Sequence, residues 1–290
     1  MLQKLQERLA GQTTAEANSP AVRPRRRPPR LLRSVLGATG ILRLRYRLQE
    51  RFRGLIWRYQ DSGSAPDGLP VPPSDLRVLV AGVGDLPGFL HGGALTADLF
   101  RSALADQGHE LAGVSPILDF GCGCGRVARH LVGPAVDLHG CDYNPRLTRW
   151  TGENLPMDVV TSSAEPPLPY ETDQFGFVYA VSVFTHLEQA KQGPWLSELG
   201  RIARPGGFIA LTLQGRHFAE QALTDQELER FQAGELVVVG GGLSGMNACA
   251  VFHPVDWLTQ NLPAGLTVAD HQPGAATGTG HQDLALLAVG

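Results

Sequence analysis

The sequence predicts an α/β protein with a mostly parallel sheet covered by helices on both faces. Two observations carry this expectation. Short strand-like runs alternate with helical stretches through the middle of the chain. Those runs are almost continuously apolar, as strands buried on both faces must be.

The elements follow in order. Residues 95–107 have helical character. Residues 116–120 form a short apolar strand, and 126–132 open a helix. "VDLHGCD" is a second strand and 145–153 a second helix. "MDVVTS" is a third strand. "FGFVYAVSV" is a fourth, followed by a helix over 188–203. A tight Pro205-Gly206-Gly207 turn leads into a fifth strand, "GGFIALTLQ", and "LTVAD" and "DLALLAV" make a terminal pair.

Charge divides the chain further. Of 25 Lys+Arg and 28 Asp+Glu, the first 60 residues hold 14 and 3, leaving 11 and 25 for the rest. A basic arm therefore precedes an acidic body. Residues 1–40 read as a disordered basic arm, rich in proline around "RPRRRPPR". Residues 41–71 read as an amphipathic helix and linker, with Leu44, Leu48, Phe52, Leu55 and Tyr59 at helical spacing between arginines. That helix either docks on the domain or touches an anionic surface. Residues 72–290 are the folded domain. The acidic body argues against a nucleic-acid substrate.

No signal peptide is expected, and 236–255, free of Asp, Glu, Lys and Arg, is broken by glycines and polar residues. The four cysteines have poor disulfide spacing, which suits a reducing cytoplasm, with peripheral contact at the inner face of a membrane through the arm.

The stretch "ILDFGCGCGRVARHL", residues 117–131, raises four readings. Cys122 and Cys124 lack the second spaced pair that a structural zinc site needs, so no metal is expected. A phosphate-binding Walker loop needs a lysine that is absent. The glycines fit a dinucleotide fingerprint, and equally a loop for S-adenosylmethionine, where missing Cβ atoms let backbone approach the ligand. Asp119 ends the first strand and Asp142 the second, and an acid there can take ribose hydroxyls in either case.

Downstream motifs separate the two. "LDFGCGCGR", "GCDYNP", "PPLPY", "SVFTHL" and "RPGGFIALT", in this order, resemble a bacterial class I S-adenosylmethionine-dependent methyltransferase. The resemblance implies a Rossmann-like fold with a seven-stranded sheet whose last strand is antiparallel. It implies cofactor contacts at Asp119, Gly121, Cys122 and Gly123, with Asp142 on the ribose and Tyr143 flanking the adenine. Ser163 and Ala164 lie in the loop framing the adenine amino group, where many relatives carry Asp. Val181 and Ser182 face the methionine part. Gly176 stands where relatives have Asp, with little loss expected. Arg126 pairs either with a carboxylate of cofactor or substrate, or with a surface acid.

The implied activity is methyl transfer to O or N of a small molecule: a sugar, a glycan precursor or a secondary metabolite. The alternatives are an NAD-dependent oxidoreductase and an inactive cofactor-binding partner subunit. His186, just past the fourth strand, is the candidate catalytic base, and the competing role for it is packing. His217 and His253 are weaker candidates. The glycine-rich stretch between the fifth strand and the terminal pair suits a mobile cover over the substrate.

Overall fold

The computed structural model describes residues 65–82, 84–240 and 249–290. The basic arm, the amphipathic helix at 44–59 and the glycine-rich residues 241–248 lie outside the described residues.

Seven strands make the main sheet: β1 Ile117–Phe120, β2 Leu138–Asp142, β3 Asp158–Thr161, β4 Phe175–Ala180, β5 Ala203–Leu213, β8 Leu266–Ala276 and β9 Gln282–Val289. Their order is β3-β2-β1-β4-β5-β9-β8. Pairings from β3 through β5 are parallel, and β9 runs antiparallel to both β5 and β8. The expected seven-stranded sheet with an antiparallel last strand is present. A separate hairpin pairs β6 Val237–Val239 with β7 Ala250–Phe252.

Period-two alternation builds two cores. On one face Ile117, Phe177, Tyr179, Phe208, Ala210, Leu284 and Leu286 pack against Phe100 and Leu104 of helix α2 (Leu86–Asp106). On the other, Leu118, Val178, Ile209, Leu211, Ala285 and Leu287 pack with Trp195, Leu196 and Leu199 of helix α4 (Gln189–Ile202). Successive residues along each strand point to opposite faces, so a continuous apolar run fills both.

Three expectations need correction. Helix α2 starts at Leu86, not near residue 95, because Asp85 caps it and Pro87 sits in its first turn. Gly88, Gly92 and Gly93 obscured that first half. The helix expected at 126–132 is only a 3₁₀ turn at Ala128–His130, since Gly133 and Pro134 follow at once. Finally, the Pro205-Gly206-Gly207 segment lies inside β5 rather than before it, with a register shift opposite Phe175–Phe177.

Gly176 is required rather than tolerated. A Cβ there would meet the Val114 carbonyl oxygen at 2.3 Å and Arg204 Nη2 at 2.7 Å. The Arg204 guanidinium passes beside it to donate to the carbonyls of Ser115 and Gly113, both at 3.2 Å.

Before α2 lies α1 (Ser74–Ala81), anchored by buried Arg77, which donates to the carbonyls of Pro72 and Gly84. Arg129 grips the chain just upstream through Asp67, with Nε to Oδ2 at 2.7 Å. No single described helix is long and apolar enough to cross a membrane.

Helix α2 meets the rest of the protein backbone to backbone. A Cβ on Gly93 would sit 2.0 Å from the Arg126 carbonyl oxygen, and one on Gly92 2.8 Å from that of Gly278. Gly93→Ala should therefore destabilise the domain by about 1 to 3 kcal/mol, overriding alanine's better helix propensity. Gly152, in helix α3 (Pro145–Asn154), has only an ordinary contact at 3.6 Å with Val159. There the same substitution should stabilise by roughly 0.5 to 1 kcal/mol. Thermal unfolding of the two variants checks the opposite signs.

Candidate active site

The carboxyl ends of β1, β2 and β4 converge on one edge of the sheet, where ligands bind in doubly wound folds. The chain leaves β1 through Gly121, Gly123 and Gly125, all at positive φ (81°, 54° and 72°), which only glycine adopts without strain. Side chains crowd each: a Cβ on Gly121 would meet Val183 Cγ2 at 2.4 Å, and one on Gly123 would meet Val80 Cγ2 at 2.6 Å. The turn is held by its neighbours. Gly121 and Cys122 donate to the Cys141 carbonyl at 2.8 and 3.0 Å. Gly123 N–H donates to Asp142 Oδ2 at 3.0 Å, and Thr151 Oγ1 of α3 donates to the Gly123 carbonyl at 2.8 Å.

Asp142 is buried at the end of β2. Its Oδ1 accepts from Asn144 N–H at 2.8 Å. Each carboxylate oxygen thus accepts one backbone N–H and keeps further lone pairs. Burial raises its carboxyl above the usual range. Tyr143 follows with 54% of its surface exposed, the larger of the two exposed large hydrophobic side chains among the described residues.

Asp119 ends β1 and is also buried. Burial pushes its carboxyl up to about 7, and the negative Asp142 adds to the rise. The Tyr179 hydroxyl opposes it, yet that buried oxygen has no hydrogen bond of sound geometry with any described group. Arg126 also faces Asp119 electrostatically. It donates from Nη1 to the Gly278 carbonyl at 3.3 Å, and burial lowers its pKa. No ion pair joins either residue to another among the described residues.

Ser182, just past β4, has φ +60°. Strain at such a position marks a backbone that its surroundings over-determine. Its N–H donates to Thr212 Oγ1 at 2.8 Å and its hydroxyl to Gln282 Oε1 at 3.0 Å, tying β4 to β5 and β9. Val181 beside it is half-buried. Ser163 and Ala164 are exposed beyond β3, and the Ser163 hydroxyl turns back onto the Glu165 carbonyl.

A 3₁₀ turn, Phe184–His186, follows. His186 Nδ1 lies 2.7 Å from the Cys249 carbonyl oxygen. A carbonyl only accepts, so Nδ1 carries the proton and Nε2 keeps its lone pair. Burial lowers the imidazole's pKa, which keeps the ring neutral at physiological pH.

The other two histidines separate. His217 is exposed, with its ring 5.3 Å from that of His281. His253 is buried and pushed down to about 3 by burial. All four cysteines are free and buried, and burial pushes Cys124 up to about 12. No cluster of His, Cys, Asp or Glu suited to a metal ion occurs among the described residues.

Residues 117–207, which contain the glycine turn, both acids and the turn after β4, match a family described as a methyltransferase domain. These residues form a methyltransferase domain. That assignment decides between the two cofactors the glycines left open. Among solved structures, this methyltransferase is similar to the glycopeptide N-methyltransferase MtfA complexed with S-adenosyl-L-homocysteine, at 19% identity over 76% of this chain and 98% of that one, TM-score 0.47. It is similar also to the CcbJ methyltransferase from Streptomyces caelestis, at 18% identity over 68% and 89%, TM-score 0.47. A third is PH0226 from Pyrococcus horikoshii OT3, at 16% identity over 60% and 81%, TM-score 0.43.

The residues present fit the cofactor. Its amino-acid end carries an ammonium and a carboxylate, and the methyltransferase offers a buried acid, Asp119, and a half-buried arginine, Arg126, neither in an ion pair among the described residues.

The raised Asp119 pKa has a sign that can be measured. Between about pH 4 and pH 7 the folded protein holds a proton that the unfolded chain, titrating near 3.8, releases. Stability should therefore fall as pH rises through this window. Asp119→Asn removes the effect, so its advantage over the wild type should grow from pH 4 to pH 7 and then level off. The upper bound is on the order of 4 kcal/mol. Denaturant unfolding across this range tests it, and a pH-independent difference would refute the assignment.

Proposed function

We propose that this methyltransferase acts on an oxygen or nitrogen of a small-molecule acceptor: a sugar, a glycan precursor or a secondary metabolite. The carrying observation is the fixed tautomer of His186, which leaves an unprotonated Nε2 at the carboxyl edge of the sheet, one short turn beyond β4. Methylation of a hydroxyl or protonated amine needs a group to take a proton, and a neutral imidazole is suited to it.

S-adenosylmethionine, when bound, supplies an electrophilic methyl on a sulfonium centre. The chain's own residues would do the remaining work. Asp142 would accept both ribose hydroxyls on its free lone pairs, and Tyr143 would cover the adenine. Asp119 would meet the ammonium and Arg126 the carboxylate. Gly121, Cys122 and Gly123 would present backbone to the methionine part, with Val181 and Ser182 opposite. Ser163 and Ala164 would border the adenine. Here the Ser163 hydroxyl is already committed to its own loop, so the adenine amino group would rely on backbone. His186 would orient the acceptor and hold the departing proton on Nε2.

Retention of Asp119 and Asp142 in buried positions, with Asp142 braced by two backbone N–H groups, supports a cofactor-binding enzyme over an inactive partner subunit. For the basic arm we propose contact with an anionic membrane surface, on the strength of its charge.

Three measurements check these roles. Asp142→Ala should weaken S-adenosylhomocysteine binding by at least about tenfold in calorimetry, since bonds to a charged acceptor contribute roughly 1.5 to 3 kcal/mol each. Unchanged affinity would remove the ribose assignment. His186→Ala should lower turnover on the acceptor by about 10² to 10⁴ while leaving that affinity nearly intact. His186→Asn should be similarly slow, because an amide cannot take the proton. Full turnover in both variants would mean that alignment alone carries the reaction. For the arm, vesicles containing anionic lipid should sediment the full chain at low salt and release it at high salt. Salt-insensitive or absent binding would dismiss the membrane contact.

A further inference from the structure

Two buried polar residues outside the cofactor site converge on the turn that carries His186. Gln192, in the first turns of α4, is buried, and its Nε2 donates to the carbonyls of Phe184 at 3.0 Å and Leu187 at 2.6 Å. These carbonyls lie on either side of His186. Because both can only accept, the amide orientation is fixed: nitrogen faces the turn and Oε1 faces away. His253, just past β7, places Nε2 3.2 Å from that Oε1. Gln192 Oε1 also only accepts, so His253 carries its proton on Nε2. Its Nδ1, buried, has no hydrogen bond of sound geometry among the described residues. The His253 backbone is pinned too, with N–H donating to the Gln214 carbonyl at 2.8 Å beyond β5.

The return strand of the excursion after β5 is thus fastened to the post-β4 turn twice. His186 holds Cys249 at its start, and His253 holds Gln192 at its end. Buried amides and imidazoles are rarely spent on packing, where an apolar side chain fills the same space without desolvation.

We propose that Gln192 and His253 are positioning residues that keep His186 in its Nδ1–H tautomer, with Nε2 turned to the acceptor. The inference deepens the reading of His186 as a base and rests on it for its catalytic meaning. The chain of bonds runs from β5 through His253 and Gln192 to the two carbonyls that bracket the imidazole. Loosening any link frees the turn, and with it the 2.7 Å contact that selects the tautomer.

The test is histidine nitrogen NMR on the full chain saturated with S-adenosylhomocysteine, with His186→Gln used to assign the resonance. The wild type should show His186 as the Nδ1–H form. In Gln192→Met and in His253→Phe, which keep bulk and lose the bonds, that signature should be lost in favour of a mixture with the Nε2–H form. Melting temperature and S-adenosylhomocysteine affinity confirm that each variant is folded and loaded, and the two variants guard against one failing to fold. An unchanged His186 signature in a folded variant overturns the proposal, since a merely structural role would leave it in place. The result does not depend on turnover. Failure of the base reading would show instead as full activity in His186→Ala with the wild-type tautomer intact.

Discussion

The cofactor edge of this protein depends on one buried carboxylate. Asp142 ends β2, yet its two oxygens receive N–H groups from Gly123, in the turn after β1, and from Asn144, which caps α3. Thr151 grips the same glycine from its carbonyl side. The turn is therefore clasped between two elements before any ligand arrives. A glycine turn left to itself samples many conformations, and ordering it is entropically unfavourable. Bracing it within the fold moves that unfavourable term from binding to folding, the usual logic of preorganisation.

Charge placement follows a related logic. Asp119 is buried and Arg126 half-buried, both without an ion-pair partner among the described residues, an arrangement that weakens the fold. Such unfavourable placement is common where a protein must meet a ligand of opposite charge. The strained backbone at Ser182, secured by Thr212 and Gln282, belongs to the same class: local stability is given up at the edge of the sheet and recovered in two apolar cores behind it.

How much of this was legible in the sequence depends on the kind of information involved. Strands buried on both faces must be apolar throughout, so β1, β2, β4 and β5 could be read directly, as could the acids at two strand ends. The start of α2 could not, because Gly92 and Gly93 serve a backbone contact with Arg126 and Gly278, residues far away in sequence. Gly176 looked like a lost acid for the same reason. His186 was visible as a histidine in the right place, but its tautomer is set by a carbonyl 63 positions onward. Gln192 carried no signal at all: one glutamine in the first turns of a helix resembles any solvated position until its burial is known.

The contact between α2 and the turn at Gly278 has a further consequence for how the protein comes into being. Helix α2 is among the first described elements to leave the ribosome, and the turn that seats against it lies between the last two strands. Strand β9 also inserts between β5 and β8, so the sheet has no complete right-hand side until almost the whole chain is synthesised. Pairings this distant in sequence form late, after the loop-closure entropy has been met. The nascent chain must therefore hold α2 with its apolar face uncovered on one side while the remaining strands are made. Fragments ending before β9 will contain every residue of the glycine turn and still lack the strand that joins β5 to β8.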